Sequence, residues 1–541
     1  MKSRNEKYRE EGGENWALPA PYPWQEEAVE ALWEKSGVLS APTGSGKTWV
    51  AYRWAHLLDA RGMPGHPRER VIFTAPIKAL SNERYLDLRK MGLDVGIETG
   101  DFKKNADAPV LCCTQEIYTL KYAGKRNIRL VVDEFHYIFT DPPRARTYMD
   151  GLRLTDPEVP LLMMSATFGE AARVQTYLER VLQRPFVLFE SQARITELTF
   201  SEKPVLHPAD IRNALVFLFS RQGVEEMAEQ TALCRERLPR EKIARIRFIG
   251  NILGVKRIPS SLLSGVGLYH GSLLPREKLL VETAFRERLL DVVVGTDALA
   301  LGVNLPAEYV IFAQLASYHD DAPISKNHFL QMAGRAGRKG LYERGYVTWF
   351  DQSPWENRFY DTGEIYRDLL RKPSEPAAID LYPSYGRLLR EECTLEAEAR
   401  MVAQYSLPER DYWEVIREIR SVLRKVGGLS KRLVKPHLRR KYRSILGEIW
   451  FDEMELEQNM KMARLFCLKG MPHALSAVRL LEPYERNRLQ ALLRVKRLAN
   501  ALPRGYGFQG MAVLEKEIRA VDATVFTFEE RLREIEESRS F

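Results

Sequence analysis

Only five cysteines occur in the 541 residues: Cys112, Cys113, Cys234, Cys393 and Cys467. They are odd in number, scattered and mostly set in apolar stretches, which excludes a disulfide framework and a zinc-ligand spacing and fits a reducing compartment. No run of eighteen or more uninterrupted apolar residues is present, and Met1 to Glu14 is polar and charged. The reading is therefore a soluble, cytoplasmic protein with no membrane partner and no secretory leader. Short internal repeats are absent too. A large charge excess is missing as well: 81 Lys plus Arg stand against 73 Asp plus Glu, a formal net charge of +8. That excess favours a polyanionic partner only mildly.

What is there is more specific. Residues Ala41 to Thr48 read A-P-T-G-S-G-K-T, a phosphate-binding loop pattern with Ala41 in place of its first glycine, directly after the apolar run Val38 to Ser40. In a strand, loop and helix context Gly44 and Gly46 let backbone N–H groups curl around a phosphate, with Ala41, Pro42, Thr43 and Ser45 completing the loop. Lys47 supplies a point charge to the β and γ oxygens, and Thr48 offers a hydroxyl to Mg²⁺. Val131 to His136 read V-V-D-E-F-H. The strand Leu130 to Val132 delivers Asp133 and Glu134 at its carboxyl end, where open α/β sheets gather ligands. Asp133 is the second Mg²⁺ residue, and Glu134 is the base that orients and deprotonates the attacking water.

Short β-branched runs recur from Val38 to Phe350, most ending in a polar, glycine or proline motif, with amphipathic segments such as Val50–Asp59, Leu80–Lys90 and Val224–Arg237 between them. This is the pattern of parallel βαβ units. Two RecA-like parallel-sheet domains are expected, 21–190 and 191–380, with the break in the proline-marked stretch Gln183 to His207 and a polar tail over 1–20. After Tyr382 long charged-amphipathic stretches take over, Leu388–Tyr405, Tyr412–Val426, Leu446–Leu468 and Tyr484–Leu498, and predict a mostly α-helical region over 381–541 with turns at Gly427–Gly428 and Pro503–Gly510. Within it lie Arg417, Arg420, Arg424, Lys425, Lys431, Arg432, Lys435, Arg439, Arg440, Lys441 and Arg443, opposed only by Glu418. Such a stretch either tracks phosphates or is a solvated or partner-binding surface. Tyr442, Trp450 and Phe451 either stack on unpaired bases or belong to a helical core.

Taken in order, the motifs resemble those of superfamily-two DExH-box helicases, specifically the superkiller-like branch that includes RNA-surveillance helicases and some DNA repair helicases. The resemblance covers roughly Pro21 to Gly340. It implies that Gln25, in P-Y-P-W-Q, reads adenine. It also implies that Ala75-Pro76-Ile77-Lys78-Ala79-Leu80, Thr99-Gly100-Asp101 and Thr114-Gln115-Glu116 hold one nucleic-acid strand, through Pro76, Lys78, Gly100, Thr114 and Glu116. Ser165-Ala166-Thr167 would couple hydrolysis to strand movement through Ser165 and Thr167. From the second sheet come strand contacts at Ser220, Arg221, His270 and Thr296, and Gly302 and Asn304 toward ATP. Gln331-Met332-Ala333-Gly334-Arg335-Ala336-Gly337-Arg338 ends the set. In this family its Gln331, Arg335 and Arg338, together with His136, line the γ-phosphate, where planar guanidinium groups stabilise transition-state charge.

The segment Ile311 to Asn327 holds the place of a strand-separating hairpin, or of an ordinary surface loop. Tyr137 and the G-R-A-G-R-K-G ending at Gly340 are closer to the RNA members. Gln115 replaces a threonine common in the family, and the roughly 160 residues after Tyr382 leave no room for the stalk of exosome-associated relatives. The function implied is an ATP- and Mg²⁺-dependent helicase or translocase on single-stranded RNA or DNA. The alternatives are an ATP-gated clamp or remodelling subunit working with a nuclease or other protein partner, and a nucleic-acid-independent switch.

Overall fold

In the computed structural model the described residues are 20–518, except 101, 140–141, 167–169, 301–304, 306, 318–321, 338–340, 431–435, 450–455, 471–472, 482–487 and 503–508. Eight strands form the first sheet: β1 (Gly37–Ser40), β2 (Arg70–Ala75), β3 (Val95–Glu98), β4 (Lys103–Lys104), β5 (Val110–Thr114), β6 (Ile128–Val132), β7 (Leu161–Ser165) and β8 (Val187–Glu190). Their order is β4-β3-β5-β2-β6-β7-β1-β8, and every pair is parallel except β3 with β4. The second sheet is wholly parallel in the order β11-β12-β10-β13-β16-β9, from β9 (Glu197–Phe200), β10 (Ala214–Phe217), β11 (Val266–Tyr269), β12 (Val292–Gly295), β13 (Tyr309–Phe312) and β16 (Arg344–Trp349). Between β13 and β16 a two-stranded antiparallel hairpin joins β14 (Ala316–Ser317) to β15 (Ala322–Pro323).

The alternation of residues along each strand explains the layering. Val38, Ile72, Leu111, Leu130 and Val132 point to one face of the first sheet, and Leu39, Val71, Phe73, Val110 and Val131 to the other. Burial on both faces is what β-branched, apolar strands of a parallel sheet require. The first face shares one continuous apolar core with residues from Ala377 to Ile518, so the helical region packs on the first lobe. The second lobe has its own clusters around Phe217, Phe312 and Phe329 on one face and Val216, Val294 and Ile311 on the other.

Polar contacts lock the same junction. Arg146 on the helix Pro142–Leu154 pairs with Glu398 on the helix Leu395–Tyr405, their side chains only 8% and 3% exposed. Tyr177 Oη donates to the Tyr405 carbonyl at 2.6 Å, and the Arg153 guanidinium lies 4.2 Å from the centre of the Tyr405 ring.

The helical region departs from the expected segmentation. Gly427 and Gly428 do not turn the chain, because the helix Tyr412–Ser430 runs through them. Glycine's helix penalty of about 1 kcal/mol is small beside the apolar face, Val415, Ile416, Ile419, Val422 and Val426, that this helix buries. Leu388–Tyr405 divides into Tyr385–Leu389 and Leu395–Tyr405, with Thr394 Oγ1 capping the second piece by accepting from the Ala397 N–H at 3.2 Å. Leu446–Leu468 also falls into two helices, Pro436–Glu448 and Leu456–Lys469. Tyr442 is 2% exposed, so it is a core residue and cannot stack on bases; Trp450 and Phe451 lie outside the described residues. The turn expected over Pro503–Gly510 lies outside the described residues up to 508. No helix among the described residues is long and apolar enough to cross a membrane.

Candidate active site and strand-binding edge

Parallel strands bring the carboxyl ends of β6, β7 and β1 side by side, and the residues expected to handle a triphosphate emerge there. After β1 the loop turns through Gly44 at φ 76° and Gly46 at φ 87°, both in the left-handed region that glycine tolerates, and enters the helix Lys47–Trp54. A Cβ on Gly46 would lie 2.5 Å from Gln25 Nε2, so only glycine allows this approach. Gln25 is buried and spans the loop's base: its Oε1 accepts from the Tyr22 N–H at 2.8 Å and its Nε2 donates to the Gly46 carbonyl at 3.0 Å. One N–H and one lone pair of that amide remain for a purine edge.

Lys47 Nζ donates to the carbonyls of Ala41 and Pro42 at 2.7 and 2.9 Å. Burial lowers its pKa, opposed by the carboxylates of Glu134 and Asp133. Ser45 Oγ, in the loop just before the helix N-terminus, is fully buried without a hydrogen-bond partner.

Beyond β6, Asp133 Oδ2 accepts from Arg84 at 2.8 Å and Oδ1 from the Glu134 N–H at 3.0 Å. Glu134 holds φ 50°, a left-handed conformation uncommon for a residue with a side chain. Desolvation and the neighbouring Asp133 raise the Glu134 pKa, against the pull of Lys47, Arg335 and Arg84. A carboxylate with a raised pKa is a stronger base than a solvated one. Glu134 also lies 3.3 Å from His136 Nδ1.

His136 joins the lobes. Its Nδ1 is 3.1 Å from Ser165 Oγ at the end of β7, and its Nε2 is 2.8 Å from Gln331 Nε2 on the second lobe's helix Lys326–Ala333. Burial and the charge of Lys47 push its pKa down to about 3, so the ring is neutral. An amide nitrogen can only donate, which assigns the lone pair to Nε2 and the proton to Nδ1, facing Ser165 and Glu134. Close by, Gly334 packs onto the phosphate loop: a Cβ there would lie 3.2 Å from Thr43 Cβ. Arg335 follows in the next turn, donates to the Ala300 carbonyl and is near enough to lower the pKa of Glu134. Arg338, Gly302, Asn304 and Thr167 lie outside the described residues.

Were Mg²⁺ to arrive with a nucleotide, the Thr48 hydroxyl and the Asp133 carboxylate are the groups that would hold it. Among the described residues no cluster of three or more His, Cys, Asp or Glu side chains could hold a metal alone. Two hard oxygens without a protein cage suit an ion that arrives with phosphates.

The strand-contact candidates gather at a second set of carboxyl ends, those of β3, β5 and β2 in one sheet and β11, β12 and β10 in the other, each set consecutive in its sheet. Lys78, Gly100, Glu116, Ser220 and Arg221 reach the surface, whereas Pro76, Thr114, His270 and Thr296 are buried and shape the edge from beneath. Ser220 Oγ and Thr296 Oγ1 cap helical turns by accepting from the N–H groups of Gly223 and Ala298. Arg221 pairs with Glu225 at 2.8 Å. His270 sits 3.6 Å from the same Glu225, its pKa pushed down to about 4 by burial and by Arg221.

Sequence reading did not single out Arg84, Gln314 or Glu356. Gln314 ties the loop after β10 to the hairpin: its Oε1 accepts from the Phe219 N–H at 2.7 Å and its Nε2 donates to the Ala316 carbonyl at 3.0 Å. Glu356 accepts from the N–H groups of Leu315 and Ala316 at 2.7 and 3.1 Å. None of the three sits in a local pattern; each acts through contacts made by the fold.

Residues 22–174 match the model of the DEAD/DEAH box helicase family, and residues 255–340 match the helicase conserved C-terminal domain. The chain is 28% identical over 400 residues to the mouse (Mus musculus) Exosome RNA helicase MTR4, which spans 60% of this chain and 38% of that protein. It is 29% identical over 446 residues to human (Homo sapiens) Superkiller complex protein 2, spanning 66% of this chain and 35% of the relative. The ATP-dependent RNA helicase mtr4 of Schizosaccharomyces pombe is 27% identical over 411 residues, 60% of this chain and 36% of that protein. The chain thus spans well under half the length of these curated relatives. Residues 22–174 and 255–340 therefore form two helicase domains, with a D-E-F-H after β6, and the chain is similar to the superkiller-like DExH-box helicases.

Proposed function

We propose that this chain is an ATP-dependent translocase and helicase that moves along single-stranded RNA, in preference to DNA, by hydrolysing MgATP between its two lobes. The observation that carries the reading is the 2.8 Å contact between His136 of the first lobe and Gln331 of the second, set beside Lys47, Asp133, Glu134 and Arg335. Groups that serve one triphosphate thus come from both sheets, so turnover requires lobe apposition and release requires its loss. Relatives named as RNA helicases support RNA as the polymer.

In the cycle proposed, Thr48 and Asp133 would hold Mg²⁺, which would supply neutralisation of phosphate charge, while Lys47 holds the β and γ oxygens. Glu134, the stronger base for its burial, takes the proton of an in-line water. His136, neutral with its proton on Nδ1, orients Glu134 and passes the state of the site to Gln331. Arg335 and Arg338 face the charge that develops on the transferred phosphoryl group. Alternate grip by the first edge, at Lys78, and the second, at Arg221, then advances the strand, while the β14–β15 hairpin parts the duplex. The basic face with Arg417, Arg420 and Arg424 supplies a further phosphate track. A nuclease or other protein partner is proposed only on the likeness to relatives named for the exosome and the superkiller complex.

The test is ATP turnover with and without RNA and DNA oligomers, followed by unwinding of duplexes with 3′ or 5′ overhangs at a fixed salt concentration. Stimulation by RNA beyond that by DNA, with strand displacement, supports the proposal. Stimulation without displacement turns it into an ATP-gated clamp, and no turnover under any condition refutes it.

A further inference from the structure

The phosphate-loop lysine and the D-E-F-H carboxylates are the recognised parts of such a site, yet the group that fixes Asp133 belongs to neither. Arg84 lies in the middle of the helix Lys78–Lys90 and is only 16% exposed, as is Asp133 at 15%. Its guanidinium reaches three elements. Nη2 donates to Asp133 Oδ2 at 2.8 Å, and Nη1 donates to Tyr52 Oη, on the phosphate-loop helix, at 3.0 Å. The plane also lies over the rings of Tyr52 and of Phe73 from β2, at 5.5 and 6.0 Å from their centres.

A planar fork fits this arrangement and a point charge does not. Two N–H groups at fixed angles point at two acceptors while the aromatic faces clamp the plane. Lysine would reach one acceptor and leave the other unpaired. An arginine placed only to neutralise a carboxylate would not need the tyrosine clamp. With Oδ2 held by Arg84 and Oδ1 by the Glu134 N–H, the carboxylate plane of Asp133 has a single orientation. Each oxygen keeps one lone pair, directed away from the two donors, for a metal or its water.

We propose that Arg84 is a positioning residue for Asp133: clamped by Tyr52 and Phe73, it fixes the carboxylate plane so that the free lone pairs meet Mg²⁺ accompanying the nucleotide. The inference rests on the proposed MgATP site and deepens it. Outer-shell partners of metal ligands typically contribute about 10–100-fold in metal affinity, which sets the expected size.

The experiment is binding of a fluorescent ATP analogue to the full chain, titrated with Mg²⁺, repeated with Mn²⁺ followed by electron paramagnetic resonance. Three variants are compared: Arg84→Met, Arg84→Lys and Tyr52→Phe. Arg84→Met is expected to need about 10–100-fold more metal for half-saturation, with analogue binding in EDTA unchanged. Arg84→Lys recovers part of that loss. Tyr52→Phe, which loosens the clamp and leaves the ion pair, shifts the metal midpoint by about threefold to tenfold and guards against misfolding of the first variant. A thermal melt in EDTA separates folded from unfolded protein. Wild-type metal dependence in a folded Arg84→Met, or in Tyr52→Phe if Arg84→Met does not fold, would overturn the proposal. Absence of any metal-dependent analogue binding by the wild-type chain would overturn the nucleotide reading and this proposal with it.

Discussion

The two lobes carry similar parallel sheets but unequal shares of the chemistry. The first holds the phosphate loop, both carboxylates and the imidazole, each fixed by contacts within that lobe: Gln25 under Gly46, Arg84 on Asp133, Ser165 on His136. Among the described residues the second reaches the same place with Gln331 on His136 and Gly334 against Thr43. The helical region adds to the asymmetry, since its core is continuous with the first lobe and its buried ion pair to Arg146 belongs to that lobe. A heavy platform that binds and a lighter lobe that completes the site is the division this teaches.

If the platform alone houses the base, Glu134→Gln removes it without touching the lobe contact. Turnover should fall on the order of 10³-fold while ATP affinity stays within about threefold, read by single-turnover hydrolysis and equilibrium binding. Normal hydrolysis would assign the base elsewhere.

The helical attachment breaks next. Arg146→Ala leaves Glu398 buried without its main partner and should destabilise the junction by about 3–5 kcal/mol, seen as faster hydrogen exchange from Leu395 to Tyr405. Burial raises the Glu398 pKa, but the hydrogen bond and charge of Arg146, the Ser384 N–H and the charge of Arg387 together lower it by more, so the net shift is downward. The pair's stabilisation is therefore present above the unfolded carboxylate value and lost as pH falls through the folded one, and the variant's deficit should shrink in acid. A deficit independent of pH would assign it to packing instead.

Gln331→Ala tests the narrower link and should lower RNA-stimulated turnover about tenfold, with unstimulated turnover little changed. Equal loss of both would make Gln331 a structural residue. The smallest effect is on pH. Because the Glu134 pKa is raised above 4.5, the acid limb of turnover should fall above the usual carboxylate range, and His136, neutral above about pH 3, should add no limb near 6.5. A limb at 6.5 that disappears in His136→Gln would contradict this.

Much of this site was legible because its chemistry is local. Gly44, Gly46 and Lys47 are neighbours whose loop geometry follows from sequence, and Asp133 follows a run that can only be a buried strand. Arg84 was invisible because a mid-helix arginine carries no pattern until the helix is docked over Tyr52. The contact of Gln331 with His136 spans 195 residues, and that of Arg146 with Glu398 spans 252, distances at which one sequence gives no pairing signal. In the fold, β9, with the pattern E-L-T-F, and β3, with V-G-I-E, are four residues long without a continuous apolar run, so their sequence alone does not mark them as strands. Gly427–Gly428 misled because tertiary burial outweighed propensity.

The most direct test of the shared site is ATP turnover at saturating single-stranded RNA in Arg335→Ala, with ATP binding measured in parallel. A second lobe that stabilises the transition state predicts binding within about threefold of wild type and turnover lower on the order of 10³-fold. Turnover within tenfold of wild type in that folded variant would contradict it.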